Sequence, residues 1–282
     1  AKVIQVHTDM RQIGFNVRAD IGILGSSGAV TKNILEKVTG KRNPKADDPW
    51  TGKVVPGGTT GKLPAEYTST KTPTHPARAA GDVGQFLEED ASDWTIVSDG
   101  GEVSVWFGRT TTATRPGQMH SSGANGTIGT GPCLVVGSWV ANRKPVLWYT
   151  GDGSFGFYAM EMETMARLGI PVVCVIANNS SWGMIHIEEK NLRAEEVEEK
   201  GPCNVQLAHM REYEAMAGMW GGYGEKVINH EDILPAVRRA AKEALKRNLP
   251  AIVNVEVDDE SPSPFIAPYI NMIKDSKAKA AS

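Results

Sequence analysis

Cysteine is scarce in this sequence: Cys133, Cys174 and Cys203 are the only three, and no two of them have CxxC spacing. An odd, scattered set of this kind excludes a disulfide framework and gives no zinc-ligand pattern. Cys133 and Cys174 lie in apolar stretches and are expected to be buried packing residues. A surplus of either charge is also missing, since 30 Lys and Arg stand against 33 Asp and Glu for a formal net charge of −3. Nucleic acid and an acidic membrane surface are therefore not expected partners. No apolar run reaches the roughly 20 residues needed to span a bilayer. No signal-peptide pattern is found and there are no internal repeats, so the cytosol is the default compartment. What remains, with 282 residues of which 40% are hydrophobic, is a globular protein of one or two domains.

The most informative pattern is a pair of polar turns. "YTGDGSFGF" carries Gly151-Asp152-Gly153-Ser154, and "VIANNSSWGM" carries Asn178-Asn179 and Ser181, 27 positions further from Asp152 (179 − 152). A helix-like stretch and an apolar run fill the interval, so both turns can sit at the same end of neighbouring strands. One offers a carboxylate and free N–H groups at a helix start, which favour phosphate. The other offers the amide oxygen of Asn179 and the main-chain carbonyl of Ser181. That donor set suits Mg²⁺ bridging a diphosphate, because Mg²⁺ takes six oxygen ligands and shares them with substrate phosphates. Either half alone would be an ordinary turn; both together at this spacing point to a metal site.

The surrounding pattern is α/β. Residues 1–38 read as strand, turn, strand and helix ("KVIQV", "DIGILG", "SGAVTKNILEKV"), the closing part of a larger parallel domain. Residues 39–73 are rich in Lys, Gly, Pro and Thr without periodicity and read as a linker, with Trp50 and Tyr67 covered by a domain surface. Residues 74–257 alternate strands and helices, predicting a doubly wound parallel sheet with helices on both faces. Within it, "GFYAMEMETMARLG" predicts one helix with Tyr158, Met162, Met165 and Ala166 on one face, and "LAHMREYEAMAGM" predicts another. Residues 258–282 read as a tail frayed at its end. Strand ends also place Asp99, Gly100, Gly101 and Glu102 near the two turns. Gly100 and Gly101 are close-approach candidates, while Asp99 and Glu102 are either site residues or solvated turn residues. His120 is expected to be structural, and His186 is more so than substrate-facing. The run 188–200 is a solvated helix or an active-site loop.

On GDGS, NN, "NNSSWGMIHI" and "SDGGEVSVWF", most of 1–38 and 74–257 resembles the acetohydroxyacid synthase superfamily of thiamine-diphosphate (ThDP) enzymes. Within that superfamily these segments look closest to benzaldehyde lyase and the 2-hydroxyacyl-CoA lyases. The resemblance implies that 74–257 is the diphosphate-binding domain and 1–38 the end of the central domain. It implies ThDP and Mg²⁺ as cofactors, with Asp152, Asn179 and the Ser181 carbonyl on the metal. In "HSSGANGTIGTG" it makes Gly126 the carbonyl that accepts from the aminopyrimidine and Ile128 the prop that bends the cofactor. Trp182, Gly183 and Met184 would contact the cofactor, and Trp182, Met184 and Ile185 would approach the space above the thiazolium and face substrate.

Two departures from the family's pattern matter. His7 and Ser26 stand where some relatives carry acidic residues for an adenine nucleotide, although Asp9 remains. The pyrimidine-binding domain with its activating glutamate has no counterpart here. The expected partner is therefore a subunit or N-terminal segment that brings it, in an oligomer. The expected substrate is a small carbonyl compound or acyl-CoA, and the expected activity a carbon–carbon lyase or ligase. An acetolactate-synthase-like or oxalyl-CoA-type decarboxylase/carboligase is the alternative, and a non-catalytic regulatory subunit a further one.

Overall fold

The structure is a computed structural model and describes residues 2–38 and 63–281. Most of the expected linker, Trp50 included, lies outside the described residues. The chain divides into two units, 1–56 and 57–282.

The first unit holds β1 (Ile4–His7), β2 (Ile21–Leu24) and α1 (Ser27–Val38). β1 and β2 pair in parallel, with Ile4 opposite Ile21 and His7 opposite Leu24. No residue of α1 is buried, and Ile4, Ile21 and Leu24 are about half exposed. Two strands and one helix do not bury an apolar core, as the sequence implies. The Asp9 carboxylate is occupied by Arg11, through both Nε and Nη2.

In the second unit the elements run α2 (Pro76–Glu89), β3 (Thr95–Ser98), α3 (Glu102–Phe107), β4 (Met119–Ser121) and α4 (Gly131–Asn142). Then come β5 (Val146–Gly151), α5 (Asp152–Phe157), α6 (Glu161–Arg167), β6 (Val172–Asn178), α7 (Gly183–Leu192) and α8 (Ala194–Lys200). β7 (Tyr223–Val227), α9 (Ile233–Arg247), β8 (Ala251–Glu256) and α10 (Ile266–Ala281) complete it. Six strands form one sheet in the order β4-β3-β5-β6-β8-β7. Every pairing in it is parallel. The chain reverses its direction of winding between β3 and β5, which makes their carboxyl ends the switch point of the sheet.

The strands are apolar on both faces, and alternate side chains feed separate cores. Leu147, Tyr149, Val173 and Val175 join α2, α3 and α9 on one side. Val146, Trp148, Cys174 and Ile176 join α4, α6 and the turn 213–220 on the other. Helices on both faces of a parallel sheet are the architecture that the alternation predicts.

Several local expectations are corrected. The stretch 152–167 is two helices broken at Tyr158, which is exposed, while Met162 and Met165 carry the apolar face. In 207–219 only the 3-10 turn from Tyr213 is helical. The C-terminal region forms a 16-residue helix, α10, because Ile266 and Ile270 find an apolar partner in Ile187. Cys174 is buried as expected, whereas Cys133 lies on the exposed side of α4. Residues 188–200 are helical, divided between α7 and α8. Tyr67 is buried, and its hydroxyl donates to the carbonyl of Trp106.

Candidate active site

The carboxyl ends of β3, β5 and β6 converge on a cavity of about 230 Å³. Its lining includes Gly101, Gly126, Ile128, Gly151, Asp152, Gly153, Ser154, Asn179, Ser181, Trp182, Gly183, Met184 and Ile185. Of the site residues read from sequence, only Asp99 and Gly100 fall outside this lining.

Asp152 follows β5 directly and is buried. Its Oδ2 has no hydrogen-bond partner among the described residues. Burial pushes its carboxyl up to about 6, although backbone groups of Gly153, Asp152, Ser180 and Ser181 pull the other way. A desolvated carboxylate with a free oxygen is unfavourable unless a cation meets it.

The second turn is built to present Asn179. The two asparagines do different work. Asn178 ends β6 and is a scaffold: its Nδ2 donates to Asn254 Oδ1 at 3.1 Å and to the Arg211 carbonyl at 3.3 Å, and its Oδ1 accepts from Ser180 N at 3.1 Å. Asn254 adds its own bonds to the Arg211 carbonyl and to Glu214. Sequence reasoning missed this role; an Asn at an otherwise apolar position in "AIVNVEV" was the available signal. Asn179 is half-buried at the cavity, its Oδ1 accepting from Ser181 N at 3.2 Å. The turn is braced from outside by Trp182 N on the Val205 carbonyl and Leu207 N on the Ser180 carbonyl.

Two glycines admit close approaches. A Cβ on Gly153 would lie 2.6 Å from the ring of Trp182, and one on Gly183 would lie 2.5 Å from Asn179 Nδ2. The Trp182 ring therefore packs against the start of α5 at Gly153, with Phe157 at 5.7 Å between ring centroids. Ile128 is half-buried, Met184 half-buried and Ile185 exposed, so the wall facing Asp152 is apolar.

Asp99 and Glu102 are both buried and neither is a solvated turn residue. Asp99 turns away from the cavity and accepts from Gly129 N at 3.0 Å and Gly131 N at 2.8 Å, fastening the loop that carries Gly126 and Ile128. Gly100, at φ 119°, makes that turn possible. Glu102 lines the cavity but gives its carboxylate to Ser263. His120 is not in the lining, and its Nε2 is buried. His186 is buried and points to Asp259, at 3.4 Å, rather than into the cavity.

Oxygen donors and free N–H groups at a switch point, a buried carboxylate with one oxygen unsatisfied and an apolar wall suit a phosphate-bearing cofactor with an organic reactive end. Residues 99–255 match the family described as thiamine pyrophosphate enzyme, C-terminal TPP binding domain, over more than half of the sequence. The chain belongs to that family.

It is similar to a probable acetolactate synthase of Mycobacterium bovis, 32% identical over 195 residues, covering 69% of this chain and 33% of that protein. A probable acetolactate synthase large subunit of Methanocaldococcus jannaschii is 27% identical over 274 residues, covering 95% and 44%. The 2-hydroxyacyl-CoA lyase 1 of Mus musculus is 26% identical over 279 residues, covering 92% and 45%. The chain thus spans less than half the length of these relatives. Among the described residues no helix is long and apolar enough to cross a membrane.

Proposed function

We propose that this chain is the ThDP- and Mg²⁺-anchoring half of a carbon–carbon lyase or ligase acting on 2-hydroxyacyl-CoA or on 2-hydroxy and 2-oxo carbonyl compounds. The observation that carries the reading is Asp152, a buried carboxylate with one oxygen free at the cavity. Asp152, Asn179 and the Ser181 carbonyl would hold Mg²⁺, and Mg²⁺ would hold the diphosphate. Bound ThDP supplies a carbanion-type nucleophile for breaking or making the bond beside a carbonyl. Ile128 would set the bend of the cofactor, and the Gly126 carbonyl would accept from its amine. Trp182, Met184 and Ile185 would keep water from the reacting end and receive the apolar part of the substrate.

The glutamate that activates the cofactor would come from a pyrimidine-domain subunit or N-terminal segment, in an oligomer. The exposed apolar residues of the first unit, Ile4, Ile21 and Leu24 among them, support further strands packing there. The test is native mass spectrometry of the chain purified with whatever binds it. ThDP, Mg²⁺ and a glutamate-bearing partner are expected, and a catalytically competent monomer of these 282 residues would overturn the reading. A complex holding the cofactor but inert toward every carbonyl substrate tried would mark a regulatory subunit.

Decarboxylation and carboligation of 2-oxo acids is the second reading, favoured by the 32% identity to a probable acetolactate synthase. Release of CO₂ from a 2-oxo acid, set against cleavage of a 2-hydroxyacyl-CoA, separates the two.

A further inference from the structure

α7 brings Gly183, Met184 and Ile185 to the cavity, and its main packing partners are α10 and α8. What holds it in place is the C-terminal region. Ile266 and Ile270 bury themselves against Ile187, with Met184 and Leu192 alongside. Around that apolar contact lie three polar ties. Asp259 stands 3.4 Å from His186, Glu260 accepts from Lys190 at 2.8 Å, and Lys274 donates to Asn191 at 3.0 Å.

These ties are exposed or half-exposed at one end and are weak anchors by themselves. The buried anchor is elsewhere. Glu102, at the start of α3 and in the cavity wall, receives both the backbone N–H and the hydroxyl of Ser263, the latter at 3.0 Å. Ser263 is fully buried, and its carbonyl accepts from Ala267 N as α10 begins. Hydrogen bonds to a buried carboxylate are the strong kind, and losing the hydroxyl would leave Glu102 with the backbone N–H of Ser263 alone. The clasp therefore fixes α10 to a wall of the cavity, and α10 fixes α7.

We propose that Glu102 and Ser263 are positioning residues for the substrate-facing wall: their clasp holds α10 so that α7 presents Met184 and Ile185 at a fixed place. The part concerning substrate rests on the function proposed above.

The test uses Ser263→Ala and Ser263→Thr in the full chain with its partners. In the alanine variant, amide hydrogen exchange over 183–192 and 264–274 should speed up roughly tenfold, the scale of one lost hydrogen bond to a carboxylate. KM for the carbonyl substrate should rise while kcat holds, because the wall binds substrate and takes no part in the chemistry. The threonine variant, which keeps the hydroxyl, should restore both. Exchange over 183–192 at the native rate in Ser263→Ala would overturn the proposal, as would a fall in kcat with KM unchanged. Exchange can be read without cofactor or substrate, so loss of the enzymatic reading would leave that arm standing.

Discussion

Replacing Asp152 by Asn should stabilise the metal-free protein at neutral pH while removing the carboxylate proposed to hold Mg²⁺. Burial raises this carboxyl from its ordinary 3.8 to about 6. For a group whose folded pKa is raised, the stabilising contribution is complete below the unfolded value. It is lost as pH climbs through the folded value. At pH 7.5 the ionised, unpaired Asp152 thus weakens the native state by about 3 kcal/mol, at 1.36 kcal/mol per pH unit. Asparagine keeps an acceptor for the backbone N–H groups and removes the charge.

In EDTA at pH 7.5 the variant should melt higher by about 6–12 °C, taking 2–4 °C per kcal/mol for a domain of this size. At pH 3.5, where the wild-type group is protonated in the folded state and mostly protonated in the unfolded one, the gap should nearly close. Adding Mg²⁺ and ThDP should reverse the order, because only the wild type gains binding energy. Scanning calorimetry at the two pH values, with and without the pair, reads all of this. Equal melting temperatures in EDTA at pH 7.5, or the same gap at pH 3.5, would refute the argument.

Other substitutions probe the remaining parts of the site. Asn179→Ala removes a ligand from the expected six and should weaken Mg²⁺-dependent ThDP retention, measured by titration calorimetry. Ile128→Ala should lower turnover while leaving diphosphate anchoring intact. Because Ile128 is only half-buried, the cost in stability should be nearer about 1 kcal/mol than the 2–5 kcal/mol of a core site. Met184→Ala should change relative rates across a series of acyl or aldehyde substrates, and unaltered ratios would place Met184 outside the substrate wall. Asp99→Ala leaves two buried N–H groups, of Gly129 and Gly131, without their acceptor and should cost about 1–3 kcal/mol for each in urea unfolding.

The parallel sheet was legible because its strands are continuous apolar runs broken by glycine- and asparagine-rich turns. The cavity was legible for the same reason: Asp152 and Asn179 follow "LWYT" and "VVCVIA" directly, and residues that close a strand of a parallel sheet fall at its ligand-binding edge. What sequence could not show was the direction of side chains that leave a turn. Asp99 and Glu102 belong to the same strand end as Gly101, yet one reaches back to the loop at 129–131 and the other across to Ser263. Neither partner is near in sequence. The C-terminal helix was hidden because its last turns are polar and only Ile266 and Ile270 mark a face. Cys133 shows the converse error, since apolar neighbours in sequence do not fix which way a helical residue points. The break at Tyr158 had no glycine or proline after Gly156 to announce it.

The larger unit is closed by a small parallel bridge between Thr74 and Val257, with Asp258 N donating to the Thr74 carbonyl at 2.9 Å. Lys71 adds an ion pair to Asp258 at 3.1 Å. The entry to the sheet-bearing fold and the exit from its last strand are thus side by side. A cavity of about 530 Å³ there is lined by Lys71, Asp258 and Asn179 among others. The bridge continues straight into the last strand of the sheet, β8, and Val257 N also donates to the Asn178 carbonyl at 2.9 Å, beside the turn that carries Asn179. A tether, a fusion or a shortened connection at 73 or 258 would consequently pull on the strand end from which the Asn178–Asn179 turn leaves the sheet.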